Sequence, residues 1–342
     1  MALLAKVGSF AKSTDAAPAS QAVTGVGFEP KVLWLWTAGG TAADTWRDDY
    51  RGAHGWAVGT GSGEARSMAY ADGPPNGSFS DSSVRIANKA LTIVAPSETL
   101  LAECDLTSFD ADGFTLNWTT NNGNGYIIHY LALGGDAITN AAVVSWSSNS
   151  DTGNQSVTGV GFEPNLALHM LSRLASVPST NTWQIGGVGL GAMDGTNEWA
   201  VSWIADENRF GSTRNWRQQR TDRTALSVGD SEDESPSMSC SFVSFDADGF
   251  TVNIEDSQQQ KRVFSLCLDI QDAAVGSFAK PTDAAPASHQ EDGLGFEPAA
   301  IWLSSFMLPA VSSQQDHARV GFGASDGESD HAAATLSEHS TS

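Results

Sequence analysis

Four aspartates offer the clearest opening for chemistry in this chain. Asp110 and Asp112 stand in SFDADGFT at Ser108 to Thr115, and Asp246 and Asp248 stand in the same eight residues at Ser244 to Thr251. Alternate carboxylates ahead of a glycine are how a calcium loop begins. An EF-hand also needs further oxygen ligands at fixed spacings and a closing glutamate. Neither copy supplies them, so each Asp-Ala-Asp-Gly reads as a tight turn between two strands.

Other candidates weigh less or stand alone. Gly187-Val188-Gly189-Leu190-Gly191-Ala192 imitates a dinucleotide fingerprint but lacks the strand-turn-helix setting that would make it one. The seven histidines, at 54, 129, 169, 289, 317, 331 and 339, are never paired at metal-ligand spacing, and no serine sits in a Gly-x-Ser-x-Gly elbow. A pair of carboxylates for glycoside hydrolysis would be assembled only by the fold; what the two copies share is Gly, Phe, Pro and turn Asp. The residues therefore point to a non-enzyme with no cofactor and no metal. One basic stretch differs. Arg209, Arg214, Arg217, Arg220 and Arg223 surround Trp216, whereas the matching stretch near residues 81–88 has Arg85 alone. Guanidinium forks pair with carboxylates in bidentate fashion, so this patch is the candidate contact for a neighbouring subunit or an acidic glycan, with a solvated loop as the alternative.

The aspartates belong to a longer repeat. GVGFEP at Gly25 to Pro30 recurs at Gly159 to Pro164 and returns as GLGFEP at Gly293 to Pro298, so that Phe28, Phe162 and Phe296 stand 134 residues apart. VGSFAK at Val7 returns unchanged at Val275. A period of this length is that of a whole domain, not of a solenoid repeat. The expected organisation is one unit over 1–140, a second over 141–273, and a partial third over 274–342 that has no SFDADGF of its own. Half a sandwich exposes an apolar face and unpaired strand edges, and two readings stand side by side: completion by another chain, or a truncated or loosely folded tail.

The elements that position these residues are strands. FTLNW at Phe114 to Trp118 puts Phe114, Leu116 and Trp118 on one face, and FTVNI at Phe250 to Ile254 repeats the pattern. Tyr126 to Leu133, Val263 to Leu268 and the stretches after each GFEP are apolar on both faces, as strands covered on both sides are. Each GFEP proline should mark the start of a strand. Cys104 and Cys240 hold matching positions and should point into matching cores. Most tryptophans, Trp34, Trp36 and Trp118 among them, fall in strand patterns and read as core. The fold class is all-β, with tandem β-sandwich, jelly-roll-like domains, two complete and one half.

Charge narrows the partners. Forty acidic residues against 18 basic ones give a net charge of −22, with 26 Asp, 14 Glu and six Lys. Such a field repels nucleic acid and suits concentrated salt, where screening collapses to a few ångströms. No stretch is apolar and long enough to insert in a membrane, and MALLAK is too short for a signal peptide.

The phrases TGVGFEPKVLWLW, VRIANKALTI, LTSFDADGFTLNW and YIIHYLALGG, in that order, resemble a repeat of structural proteins in tailed viruses of bacteria and archaea. The likeness covers the first unit almost throughout and the second with more drift. It implies a minor tail, tail-fibre or other virion protein, and with the Asp-rich balance a virus of salt-loving archaea. The expected role is host attachment from the virion surface, as a tail fibre, spike or capsid turret. The expected partners are further copies in a homo-oligomer, other virion proteins and a host-surface glycan or glycoprotein. A capsid decoration without receptor and a polysaccharide-degrading tail enzyme are the alternatives.

Overall fold

The computed structural model describes residues 2–45, 50–60, 63–72, 82–180, 185–206, 212–229, 235–307, 313–337 and 340–341. Among them are antiparallel strands, one 3-10 turn at Pro96–Glu98 and no α-helix.

In the first repeat, one sheet runs in the order Leu4–Ala11, Ile127–Gly134, Pro30–Thr37, Tyr50–Ala57, Ala65–Asp72, Ser82–Ala87. A smaller sheet of Ala19–Thr24, Gly113–Asn121, Leu100–Asp110 and Leu91–Val94 lies over it. Alternation divides the residues between two cores. Leu33, Leu35, Ala69 and Ala71 point toward the smaller sheet and meet Phe114, Leu116 and Trp118. Val32, Trp34, Trp36, Met68 and Tyr70 point the other way and are buried too. That is why Val32 to Trp36 is apolar on both faces. Pro30 opens its strand and leads into it without donating to the ladder.

The second repeat follows the same plan. Its larger sheet runs Ile138–Ser147, Arg262–Ile270, Leu166–Ser172, Ile185–Met193, Glu198–Asp206, Ser212–Arg220, and its smaller sheet holds Gly153–Thr158, Gly249–Ser257, Met238–Asp246 and Ala225–Ser227. The glycine run lies in the strand Ile185–Met193. A Cβ on Gly191 would stand 1.8 Å from the Thr224 carbonyl oxygen, as one on Gly55 would from that of Ala90. Close sheet approach, and not a phosphate, accounts for the glycine. The third repeat holds a three-stranded sheet of Ile301–Ser305, Ala318–Ser325 and Asp330–Ser337. These strands match Pro30–Thr37, Tyr50–Ala57 and Ala65–Asp72 of the first.

The three repeats close on one another in a cycle. Ala65–Asp72 of the first lies against Ile185–Met193 of the second, Glu198–Asp206 of the second against Ala318–Ser325 of the third, and Asp330–Ser337 of the third against Tyr50–Ala57 of the first. Loops follow the same order. Ser179–Thr180 adds to the outer strand of the first repeat at Ile86 and Arg85, and Gln315–Asp316 adds to that of the second at Trp216 and Arg217. Matching strands meeting in cyclic order make a pseudo-threefold arrangement, and the largest apolar cluster, with residues from all three repeats, lies on its axis.

Candidate functional site

The Asp-Ala-Asp-Gly turns are structural clamps. Gly25 and Gly27 hold positive φ, of 84° and 88°, which aims their amides at the turn. Asp112 Oδ2 accepts from Gly25 N at 3.1 Å and Oδ1 from Gly27 N at 2.6 Å, while the Asp112 carbonyl accepts from Val26 N at 3.3 Å. Asp248 repeats this with Gly159 N at 3.1 Å, Gly161 N at 2.7 Å and Val160 N at 3.5 Å. The two glycine amides hold the Asp248 carboxyl below its ordinary range. The other aspartate of each pair braces its own hairpin. Asp110 accepts from Ser108 Oγ at 2.7 Å and Thr115 Oγ1 at 2.8 Å, which lowers its pKa; Asp246 accepts from Ser244 and Thr251 at 2.8 and 2.7 Å. Each clamp fastens the smaller sheet to the loop that leads into the larger one. Among the described residues no three His, Cys, Asp or Glu side chains form a group that could hold a metal ion.

The axis carries the histidines that sequence spacing left apart. Its layers are built around matching positions, the first with a tryptophan from another strand added. Trp34 meets Trp302 with ring centroids 4.3 Å apart, and Trp302 also stacks on Trp199 at 5.6 Å. In the next layer His54 meets Phe322 edge-on at 4.3 Å, with Leu190 as the matching residue of the second repeat. In the third, Tyr70 meets Trp203 edge-on at 4.9 Å, and Thr335 is the matching residue of the third repeat. His129 stacks on Trp36 and shares a hydrogen bond with His331, Nδ1 to Nδ1, at 3.2 Å. Burial pushes His54 down to about 3. It does the same to His129, to about 4, with His331 as the second cause. Both rings are neutral at pH 7, and so is His169, which burial in the second sandwich pushes down to about 3. Cys104 and Cys240 lie fully buried in matching sandwich cores, where burial pushes their thiols up and leaves them protonated.

Two hairpin aspartates join repeat to repeat. Asp194 accepts from Val275 N at 2.7 Å and from Thr196 N and Asn197 N within its own turn. Asp326 accepts from Val7 N at 2.7 Å and from Glu328 N and Ser329 N. Val7 and Val275 are the first residues of the two VGSFAK copies, so the same amide is bound in the same way at two successive junctions.

The basic stretch is largely used within the fold. Trp216 is buried with Ile204 and Val228, so its ring is not presented to solvent. Arg217 is buried as well and donates to the His317 carbonyl of the third repeat at 3.0 Å. Arg220 holds Asp222 with two bonds of 2.7 Å, and Arg223 reaches the same carboxylate at 3.1 Å. Arg214 lies in the strand Ser212–Arg220 opposite Asp206, and Arg209 lies outside the described residues. What the structure brings together is Arg220 and Arg223 around Asp222. The matching Arg85 pairs with Glu103 at 2.7 Å and donates to Thr180 at 2.9 Å.

The fold and these contacts define an all-β protein of antiparallel sheets paired into sandwich-like units. No protein-family model and no curated protein matches the chain.

Proposed function

We propose that the chain is a non-enzymatic structural protein of a virion surface, a tail fibre, spike or capsid turret of a tailed virus of salt-loving archaea, and that it attaches the particle to its host. The observation that carries this reading is the use of the repeated aspartates. Asp112 and Asp248 are engaged by backbone amides of their own repeats, so what duplication kept is scaffold. The virion resemblance of the repeated phrases supports the setting, and the acidic balance supports the salt. Each sandwich reads as jelly-roll-like, because its first two strands run beside its last two, one pair in each sheet. One rigid block per chain, several chains on a symmetric base, and weak contacts on each with glycan or glycoprotein would together give avidity.

The test uses the purified chain on host cells and on host polysaccharide in concentrated salt. Saturable binding that strengthens when several chains are linked, with no shortening of the polysaccharide, is the expected result. Release of shorter chains would replace this reading with a depolymerase. Particles that lack the protein yet adsorb normally and fall apart sooner would replace it with a capsid decoration.

A further inference from the structure

The seams between repeats differ in chemistry. Between the first and second, Tyr70 meets Trp203, and between the second and third, Trp199 stacks on Trp302. The seam between the third and the first carries histidine on both sides. His54 stands edge-on to Phe322 at 4.3 Å, and His129 shares its Nδ1 bond with His331 at 3.2 Å. His54 is 2% exposed, and its Nδ1 is buried without a hydrogen-bond partner. Among the described residues neither of the other seams buries a histidine ring, since the other buried one, His169, bonds to Ser265 inside the second sandwich.

Packing does not call for these rings. Strand register aligns His54 with Leu190 of the second repeat and Phe322 of the third, and His129 with Phe264 of the second. Leu190 and Phe264 are buried on the axis, so carbon fills the same places there. The first repeat uses imidazole instead, and both rings face the third repeat.

The neighbouring strands bring no counter-ion to either ring. Leu4–Ala11 brings Lys6, which reaches Asp326 at 3.8 Å and Glu328 at 3.4 Å in the hairpin of the third repeat. Pro30–Thr37 brings Lys31, turned to the Ile138 carbonyl at 2.8 Å. Tyr130, beside His129, packs against Phe114 inside the sandwich, and Arg51, on the strand of His54, lies beside Gly39. Ala65–Asp72 brings Tyr70, whose phenol burial pushes up, Arg66, which lies over Phe264, and Asp72, which accepts from Ser82. The third repeat brings Arg319, which acts on Arg217, and Asp330, which is exposed. Among the described residues no carboxylate bonds to His54 or His129. Burial accordingly pushes His54 down to about 3, and His129 to about 4 with His331 as the second cause.

We propose that the seam between the third and first repeats is an acid-operated joint: protonation of His54, and of His129 and His331 together, parts the third repeat from the first while the seams to the second repeat hold. A first proton can be shared across the His129–His331 pair, and a second leaves two N–H groups facing each other. Both depressed values lie below the ordinary 6.5, so the closed seam keeps the neutral rings. Closure is complete above about pH 6.5 and weakens as pH falls toward 4.

Two amides of identical sequence setting report the two seams of the third repeat. Val7 N bonds to Asp326 across the seam to the first repeat, and Val275 N to Asp194 across the seam to the second, each at 2.7 Å. Against burial, the amides that they hold keep both carboxyls below the ordinary range, so both stay ionised from pH 7 to pH 5. The experiment is residue-resolved amide exchange on the intact chain at these two pH values, corrected for intrinsic rates. Val7 should lose at least about ten-fold in protection at pH 5, reversibly, while Val275 keeps its own. With His54→Leu and His129→Phe together, the residues that the second repeat holds there, Val7 should stay protected at pH 5. Unchanged Val7 protection, equal losses at Val7 and Val275, or a loss that survives the double substitution would overturn the proposal. Should the substituted chain fail to fold, the two amides of the unaltered chain decide it alone.

Discussion

VGSFAK occurs twice in this chain with two structures. At Val7 it lies within a strand zipped along Ile127–Gly134, and at Val275 it has no strand pairing. Both copies have their first amide bound by a hairpin aspartate at 2.7 Å, so the local anchor is the same. The difference is the neighbour. Strand propensity in these six residues is a weak preference that a partner strand converts into structure, and the same holds for the whole third repeat. Its three strands exist because the axis covers one of their faces.

The largest expected effect comes from removing that cover. Trp203→Ala takes a fully buried ring out of the axis and should cost about 3–5 kcal/mol, read as a lower denaturant midpoint. Protection should vanish first from residues 301–337, which depend on the axis, and later from the sandwich cores around Phe114 and Phe250. Loss of all three together would mean that the repeats do not differ in the way described.

Acid attacks the axis and the second sandwich in a defined window. His54 and His169 have folded pKa values near 3, below the unfolded value of about 6.5. Protonation thus favours the unfolded chain, so their contribution is complete above about pH 6.5 and declines as pH falls toward 3. Between pH 7 and pH 5 each should cost up to about 2 kcal/mol. His54→Leu, the residue that the second repeat places there, should remove one share of the acid sensitivity and leave the rest. A stability profile that is flat from pH 7 to pH 5 would refute the neutral, buried rings.

The smallest of these effects separates the clamps. Asp112→Ala and Asp248→Ala should each lower the melting temperature modestly and by similar amounts, since each frees two glycine amides at the surface. The Asp248 share should be present above the ordinary carboxylate range and fade as pH falls through its depressed pKa. Asp292→Ala, beside the third glycine pair, should leave the melting temperature unchanged, because no clamp closes there.

Much of this was legible before any coordinates. The alternation in FTLNW and FTVNI placed Phe114, Leu116, Trp118, Phe250, Val252 and Ile254 on buried faces, and all six are fully buried or within 1% of it. The strand start at Pro30, the Asp-Gly turns and the matching cysteines were readable from local chemistry, whereas Pro164 and Pro298 stand two and three residues ahead of their strands. The axis was not. Residues apolar on both faces, such as Val32 to Trp36, announce a second cover without saying what provides it, and here other repeats of the same chain do. His129 and His331 are 202 residues apart in sequence and share a hydrogen bond, a contact that ligand-spacing rules do not reach. The 134-residue period held the one usable signal, since Trp34 and Trp302 occupy the same place in their repeats and touch. Among the residues of the basic stretch, Trp216 and Arg217 are buried; as neighbours in the strand Ser212–Arg220 they point to opposite faces, and that both faces are covered is not legible in the local sequence.

The central claim, that a neighbouring strand and not the local sequence decides structure in these repeats, is tested most directly by hydrogen exchange on the intact chain. Peptides over Val7–Lys12 and Val275–Lys280 share one sequence and so have nearly identical intrinsic rates, and the Val7 and Val275 amides, both held by aspartates, are left out of the comparison. The account predicts slow exchange in the first and fast exchange in the second. Equal protection of the two would contradict it.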